Sequence, residues 1–269
     1  MSEGGLRRLA VLGHPVAHSR SPAMQNAALA ALGLGEGWRY EAVDVEPGRF
    51  EALVRGMEAM GFVGANVTVP HKEAALALAD EHSEAAGEIG AANTLGFGGG
   101  RIRADNTDAE GFLAALPEPP GGVAALVLGA GGAARAVVWA LHREGAEVEV
   151  WNRTPERAVR LCAEIGGRAV ERPEPSRYGL IVNCSAAGLG GGDPFASLPL
   201  GPADLRPEMI VSDLVYGEGP GPLLEAASAA GARTVDGIEV LVRQGAASLR
   251  IWTGLVPPLE VMREAARSG

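Results

Sequence analysis

A strand–turn–helix unit in the middle of the chain constrains its fold more than any other stretch. Residues 124–128 form an apolar run that predicts a buried strand, and a helix is expected to about Arg143. Between them the chain reads Gly129-Ala-Gly-Gly-Ala-Ala134. Gly129, Gly131 and Ala134 fit the pattern G-x-G-x-x-G/A, in the order strand, turn, helix that this pattern requires. The unit therefore predicts an α/β domain with a parallel sheet and a dinucleotide on its first turn.

The end of the next predicted strand, residues 147–151, indicates which dinucleotide binds. An NAD site usually places Asp or Glu there for the ribose 2′-OH, whereas this chain reads Asn152-Arg153-Thr154. An arginine in place of an acidic residue suits a 2′-phosphate, and the alternative interpretation of Arg153 is a solvated surface charge. The sequence favours NADP over NAD.

Composition adds one residue outside this unit. The 23 basic residues comprise 22 arginines and a single lysine, Lys72. Arginine supplies charge and reach as well as lysine does, but it cannot readily release its proton at biological pH. The sole lysine is therefore a candidate for proton transfer, and drift under compositional bias is the alternative explanation.

The residues around Lys72 place it where α/β proteins bind ligands. Residues 62–69 predict a β-branched strand ended by Pro70, and a helix is expected over residues 72–82. Lys72 would then lie at the carboxyl end of a strand and at the mouth of a helix. Asn66 and Thr68 alternate along the strand and so share one face. Such a polar stripe is either buried and hydrogen-bonded or lines a site.

A second candidate loop follows the first predicted strand, residues 9–12. It is rich in small hydroxyl residues and proline and runs from Gly13 to Pro22. Two hydroxyls two residues apart, Ser19 and Ser21, could hold a carboxylate, or one of them could simply cap the helix predicted over residues 23–32. His14 and His18 lack acidic or cysteine partners at metal-ligand spacing. We therefore expect them to be structural and predict no metal site.

The overall composition limits the location and partners of the chain. Its net charge of −10 argues against nucleic acid or an anionic membrane as a partner. It has no run of 18 apolar residues, and the start, Met1-Ser-Glu-Gly-Gly5, lacks the regions of a secretory signal. Cys162 and Cys184 have no metal-like spacing and are expected to be free thiols. These features predict a cytoplasmic protein.

Taken together, the motifs resemble those of shikimate dehydrogenases over essentially the whole chain. The matching segments, in chain order, are His18-Ser-Arg-Ser-Pro22, Asn66-Val-Thr-Val-Pro-His-Lys72, Gly90-Ala-Ala-Asn-Thr94, Asn106-Thr-Asp-Ala-Glu-Gly111, Gly129-Ala-Gly-Gly-Ala133, Asn152-Arg-Thr154, Asp213-Leu-Val-Tyr216 and the helix from Gly237 to Gln244. Leu214 and Leu241 stand where the family often has methionine, which keeps volume and apolarity.

The resemblance implies a two-domain α/β fold. A discontinuous substrate-binding domain would comprise residues 1–104 and 241–269, and a Rossmann-type parallel-sheet domain for NADP would comprise residues 105–240. The implied reaction is the reversible NADPH-dependent reduction of 3-dehydroshikimate to shikimate, in aromatic amino acid biosynthesis. A homodimer is a possible assembly.

The resemblance also implies the roles of individual residues. Lys72 and Asp108 would form the catalytic acid–base pair, and Ser19 and Ser21 would bind the substrate carboxylate. The ring hydroxyls would be bound by Thr68, Asn93, Asp108, Tyr216 and Gln244. The cofactor would contact Gly129, Ala130, Gly131, Gly132, Ala133, Asn152, Arg153, Thr154, Arg157, Leu214 and Gly237. Glu84, which matches a family position near the site, would be a further cofactor contact.

Three alternatives remain open on the sequence alone. One is a quinate/shikimate dehydrogenase using NAD, against which Asn152-Arg153-Thr154 argues. Another is an aminoshikimate-type relative. The third, from a different functional class, is a ligand-binding paralogue without catalysis, which would be expected to have lost Lys72 or Asp108; both are present.

Overall fold

The computed structural model describes residues 5–217 and 219–268 and divides the chain into two compact units. The first unit is Met1–Gly111 with Leu241–Gly269, and the second is Phe112–Val240. Residues 1–4, Glu218 and Gly269 lie outside the described part. The expectation of no secretory signal rests partly on residues 1–4, and the predicted domain ranges include Glu218 and Gly269. The predicted domain division after residue 104 stays a prediction, while the compact units divide after Gly111.

The N-terminal part of the chain alternates strands and helices. Its elements are β1 (Arg7–Gly13), α1 (Ser21–Ala31), β2 (Trp38–Asp44), α2 (Phe50–Gly56), β3 (Phe62–Val67), α3 (Lys72–Ala77), β4 (Glu81–His82), α4 (Glu84–Ile89), β5 (Thr94–Gly98), β6 (Arg101–Asp105) and α5 (Asp108–Ala115). The strands form a mixed sheet in the order β2-β1-β3-β5-β6-β4. Strands β1 and β3 run parallel, so both end at the same edge of the sheet.

The helix expected over residues 72–82 is shorter than predicted. It ends at Ala77, because Asp80 turns the chain toward β6. The Asp80 backbone N–H donates to Ile102 O at 2.8 Å, and the Asp80 carboxylate accepts from the Ile102 N–H at 2.7 Å. Residues 81–82 then pair with β6 as a short strand. A tertiary strand pairing thus ends a helix whose Ala/Leu pattern would otherwise continue.

The second unit is a doubly wound α/β domain. Its elements are β7 (Ala124–Leu128), α6 (Gly132–Arg143), β8 (Glu147–Trp151), α7 (Pro155–Ile165), β9 (Arg168–Ala169), β10 (Leu180–Asn183), β11 (Ile210–Asp213), α8 (Pro222–Ala229) and β12 (Arg233–Asp236). The strands pair in parallel in the order β12-β11-β10-β7-β8-β9. The strand order reverses between β7 and β10, which is where such sheets bind ligands.

Two helices complete the chain, α9 (Gly237–Thr253) and α10 (Leu259–Ser268). From Leu241 onward they belong to the first unit. Trp252 on α9 donates its indole N–H to Leu95 O at 2.9 Å and lies against Gly64 of β3, where a Cβ would be 2.1 Å from the indole nitrogen. This close contact holds α9 on the mixed sheet and makes the first unit discontinuous in sequence.

The architecture confirms the predicted fold class, an α/β chain with a discontinuous mixed-sheet unit and a parallel-sheet unit. Cys162 and Cys184 form no disulfide bond, as predicted. Among the residues that the structure describes, no helix is both long enough and apolar enough to cross a membrane.

Candidate active site

The first unit brings Lys72 and Asp108 into direct contact. Lys72 is the first residue of α3, and its side chain is only 10% exposed. Its Nζ lies 2.5 Å from Oδ2 of Asp108, whose side chain is 16% exposed. The Lys72 carbonyl accepts from the Ala92 N–H at 2.9 Å, which ties the start of α3 to the segment before β5. The sole lysine therefore forms a largely buried ion pair with the carboxylate predicted to be its partner.

Asp108 is fixed from three sides. It is the first residue of α5, and its backbone N–H donates to Asn106 Oδ1 at 3.1 Å. Asn106 in turn donates from Nδ2 to Ala91 O at 2.8 Å. The Asp108 carboxylate receives Lys72 on Oδ2 and Asn93 Nδ2, at 2.8 Å, on Oδ1. Because both carboxylate oxygens are engaged, the orientation of the carboxylate is determined.

Asn93 connects Asp108 to Gln244. Its Nδ2 lies 3.1 Å from Gln244 Oε1, and Gln244 donates from Nε2 to Leu241 O at 3.0 Å. Gln244 approaches α5 closely because position 111 is glycine: a Cβ there would lie 2.6 Å from the Gln244 backbone nitrogen. Gly111 had no predicted role, since a helix–helix contact of this kind leaves no pattern in the sequence.

The predicted carboxylate-binding serines lie at the start of α1. Ser19 Oγ accepts from the Ser21 backbone N–H at 3.3 Å, while the N-cap residue of α1, Arg20, makes no side-chain cap hydrogen bond. Ser21 is the first residue of α1 and is 5% exposed. Thr68 follows β3, and its Cγ2 would be 2.5 Å from a Cβ at Gly13, the last residue of β1. Thr68 and the start of the serine loop therefore lie together at the carboxyl edge of the sheet.

The glycine turn of the second unit follows β7 as predicted. Gly129 has φ +119°, and a Cβ there would be 3.0 Å from the carbonyl of Cys184, so the turn requires glycine. Gly131 precedes α6 and has nothing within 4 Å of a Cβ position, while Gly132 and Ala133 begin the helix. The turn lines a cavity of about 300 Å³. Its lining residues include Gly129, Ala130, Gly131, Trp151, Asn152, Arg153, Ser185 and Ser197.

The predicted cofactor residues after β8 differ in whether they line this cavity. Asn152 and Arg153 line this cavity, and Asn152 donates from Nδ2 to Thr154 O at 2.8 Å. Thr154 precedes α7 and Arg157 lies in its first turn; both are exposed. A dinucleotide phosphate fits this cavity, because glycine leaves backbone N–H groups accessible at the start of α6 and an arginine stands where an acidic residue would repel a 2′-phosphate.

Leu214 and Gly237 meet through their backbones in the second unit. A Cβ at Gly237 would lie 2.7 Å from Leu214 O, so glycine permits this contact. Tyr216 follows two residues after Leu214 and is partly buried. The structure brings the first two residues together, as expected if both border one part of a ligand.

Asp213 is a buried group that lies in one of the matching motifs but had no predicted role. It ends β11 and is 2% exposed. Its Oδ1 accepts from Asn183 Nδ2 at 2.9 Å and from the Val215 N–H at 3.0 Å. Burial raises the pKa of Asp213 from 3.8 to about 6. The Asn183–Asp213 pair joins the ends of β10 and β11 and fixes the backbone on either side of Leu214.

Glu84 is the first residue of α4 and is exposed on the first unit. Its predicted contact with the cofactor stays a prediction. Among the residues that the structure describes, no group of three or more His, Cys, Asp or Glu side chains could hold a metal ion.

Comparisons with known proteins agree over nearly the whole chain. Three family models match: the shikimate dehydrogenase substrate binding domain at residues 11–95, shikimate / quinate 5-dehydrogenase at residues 121–177, and the shikimate 5′-dehydrogenase C-terminal domain at residues 237–267.

Individual relatives carry the same description. An NADP(+) shikimate dehydrogenase of Thermus thermophilus is 49% identical, with 97% of each chain covered, and that of Methanopyrus kandleri is 46% identical, with 95% of this chain and 93% of the relative covered. The crystal structure of a Thermus thermophilus shikimate 5-dehydrogenase with NADP(H) and shikimate superposes with a TM-score of 0.89 at 44% identity. It covers 98% of this chain and 99% of that one.

Proposed function

The chain belongs to the shikimate dehydrogenase family, and we propose that Lys72 and Asp108 are the pair that moves the proton in its reaction. The reaction is the reversible NADPH-dependent reduction of 3-dehydroshikimate to shikimate, a step of aromatic amino acid biosynthesis. The contact of 2.5 Å between Lys72 Nζ and Asp108 Oδ2 is the observation that carries the proposal.

Reduction of a carbonyl adds a hydride to carbon and a proton to oxygen. When bound, NADPH supplies the hydride. The Lys72 ammonium stabilises the negative charge that develops on the carbonyl oxygen and then gives that oxygen its proton. Asp108 Oδ2 holds the ammonium in position, and the neutral amine left behind takes a proton from water. In the oxidative direction the amine accepts the hydroxyl proton.

The first unit supplies the proposed substrate contacts. Ser19 and Ser21 would bind the carboxylate, supported by their position around the first residue of α1, an 11-residue helix whose backbone N–H groups favour an anion. Thr68, Asn93 and Gln244 would bind ring hydroxyls. Asn93 and Gln244 support this role because their amides already meet beside Asp108. Tyr216 is proposed as a further hydroxyl contact.

The second unit supplies the proposed cofactor contacts. Residues 129–133 would hold the diphosphate, supported by the open glycine turn at the start of α6. Arg153, with Asn152, Thr154 and Arg157 nearby, would bind the 2′-phosphate. Leu214 and Gly237 would border the nicotinamide, and Glu84 is proposed as a further cofactor contact.

Absorbance at 340 nm tests the substrate and cofactor together. Shikimate and quinate are each offered with NADP⁺ and with NAD⁺, and we expect shikimate with NADP⁺ to give the highest kcat/KM. Preferred turnover of quinate with NAD⁺ would identify a quinate/shikimate dehydrogenase instead. Turnover of none of the four pairs by folded protein would favour the non-catalytic ligand-binding alternative.

Assembly and location remain proposals. We propose a cytoplasmic homodimer without a nucleic-acid partner. Two cysteines without a disulfide bond, Cys162 and Cys184, support the location, and the net charge of −10 supports the absence of nucleic acid. Light scattering on the eluting protein tests the dimer, and a single-chain mass would contradict it.

A further inference from the structure

A group of buried polar side chains lies behind Asn93 in the first unit and has no part in the proton transfer itself. Three of them are hydroxyl residues on different elements, which we call the hydroxyl cluster: Thr94, Thr107 and Ser248. They are 0%, 2% and 0% exposed. Buried polar groups at this depth need hydrogen-bond partners, so the direction of each hydrogen bond can be worked out.

The orientation of the Asn93 amide is set by a backbone group. The Thr107 backbone N–H lies 2.8 Å from Asn93 Oδ1, and because an N–H group can only donate, the atom facing it must be the oxygen. The amide nitrogen then faces three acceptors, Asp108 Oδ1 at 2.8 Å, Thr107 Oγ1 at 3.0 Å and Gln244 Oε1 at 3.1 Å, of which Asp108 is the nearest. A side chain that donates a further hydrogen bond to Asn93 Oδ1 therefore also helps to orient Asn93 Nδ2 toward Asp108.

Ser248 receives two hydrogen bonds. Tyr40 donates its hydroxyl to Asn66 Oδ1 at 2.8 Å, so Asn66 offers its Nδ2, and this donor lies 2.9 Å from Ser248 Oγ. Thr107 Oγ1 lies 3.0 Å from Ser248 Oγ. If both donate, the two lone pairs of Ser248 are filled, and its own hydrogen is free to go elsewhere.

The hydrogen of Ser248 goes to Thr94. The Ser248 Oγ–Thr94 Oγ1 distance, 2.8 Å, is the shortest within the hydroxyl cluster, and Thr94 Oγ1 then donates to Asn93 Oδ1 at 3.0 Å. In the opposite arrangement Thr107 would donate to Asn93 directly at 3.2 Å and Ser248 to Gln244 O at 3.0 Å. Both arrangements pair every donor, and the first makes the shorter contact to Asn93 Oδ1, 3.0 Å against 3.2 Å.

We propose that Ser248 is a positioning residue, which acts through Thr94 and Asn93 to hold the Asp108 carboxylate against Lys72. The inference rests on the proposed role of Asp108 in proton transfer. Lys72, on α3, is the charged group that contacts Asp108. The other side-chain partner of Asp108 is Asn93, which is neutral, and so is Gln244 on α9, which contacts Asn93. Loss of the Ser248 hydroxyl would remove one acceptor from Asn66 and one from Thr107, and would remove the nearest donor to Thr94.

The experiment compares Ser248→Ala with Ser212→Ala in the full chain. Ser212 is also 0% exposed, but its hydroxyl has no hydrogen-bond partner, so the same substitution there removes no hydrogen bond. We expect Ser248→Ala to lower kcat/KM for shikimate by about 5-fold. The acid limb of the profile of kcat/KM against pH should move as well, because the Asn93 amide that contacts Asp108 is held less firmly. Ser212→Ala should leave both unchanged.

A second pair of variants covers the case in which Ser248→Ala does not fold. Thr94→Val removes the hydroxyl and keeps the shape, whereas Thr94→Ser keeps the hydroxyl and loses a methyl group. A purely structural role predicts a lower Tm in both variants with no movement of the acid limb. The positioning role predicts that only Thr94→Val moves it.

The variant Asp108→Asn distinguishes failure of the Ser248 proposal from failure of the proposal that Asp108 takes part in proton transfer. If Asp108→Asn abolishes turnover but neither Ser248→Ala nor Thr94→Val moves the acid limb, the positioning role of Ser248 is wrong and the proton-transfer proposal stands. If Asp108→Asn retains near-normal kcat, the proposal for Asp108 fails first.

Discussion

The ammonium of Lys72 lies 2.5 Å from the carboxylate of Asp108, although 36 residues separate the two in the chain. Each stands at the first position of its helix, Lys72 on α3 and Asp108 on α5. The helix starts hold the two backbones, and Asn93 and Asn106 hold the Asp108 side, so the contact does not depend on a flexible segment.

Lys72→Arg separates proton transfer from electrostatics. Arginine keeps the positive charge beside Asp108, but it transfers protons poorly because it stays protonated at biological pH. We expect kcat to fall by about 10²-fold or more, the range of a lost general acid, with the KM for shikimate little changed. Steady-state absorbance at 340 nm gives both constants, and an unchanged Tm controls for folding. A near-normal kcat would exclude Lys72 as proton donor.

Arg153→Ala tests the preference for NADP. Arg153 lines the cavity at the glycine turn, and charge-assisted hydrogen bonds to a phosphate are lost with its side chain. We expect the KM for NADP⁺ to rise by about 10- to 100-fold, with the KM for NAD⁺ nearly unchanged. Arg160→Ala, an exposed arginine further along α7, is the matched control. An equal loss with both cofactors would contradict a 2′-phosphate contact.

Much of this architecture follows from local sequence. The strand at Ala124–Leu128 was expected at its observed bounds because apolar runs beside glycine have few alternatives. The helix α7 was not predicted, although Pro155 stands at its start and its buried face is narrow: within it, Ala158 and Leu161 are the buried residues.

The residues of the candidate site could be predicted from the sequence, but the contacts that hold those residues in place could not. The Lys72–Asp108 pairing came from the family resemblance, and strand ends at one sheet edge gave a physical reason for it. The contacts that fix it join distant positions: Gly111 with Gln244, or Thr107 with Ser248. Contacts between residues far apart in sequence depend on tertiary packing, which periodicity and spacing do not encode.

Gly111→Ala tests whether close packing of α5 on Gln244 matters to the substrate. The new Cβ would lie 2.6–2.8 Å from the backbone and Cβ of Gln244, so the helices must separate. We expect a loss of about 1–3 kcal/mol in the free energy of unfolding. The KM for shikimate should rise by about 10-fold because Gln244 is displaced. Gly98→Ala is the control, with nothing within 4 Å of its Cβ position. Equal KM values in the two variants would show that the contact is irrelevant to binding.

Asp213 gives a stability prediction with a definite sign. Burial raises its pKa to about 6, above the ordinary value of 3.8, so between these pH values the folded state holds a proton that the unfolded state has lost. The stability from this group is fully present below about pH 4 and is lost as pH rises through 6, by an amount of order 3 kcal/mol. Asparagine keeps an acceptor for Asn183 and Val215 but cannot ionise. The Tm of Asp213→Asn relative to the unsubstituted protein should therefore increase between pH 5 and pH 8, whereas Glu208→Gln, at an exposed carboxylate, should show no such trend. A Tm difference independent of pH would mean that Asp213 does not titrate in this range.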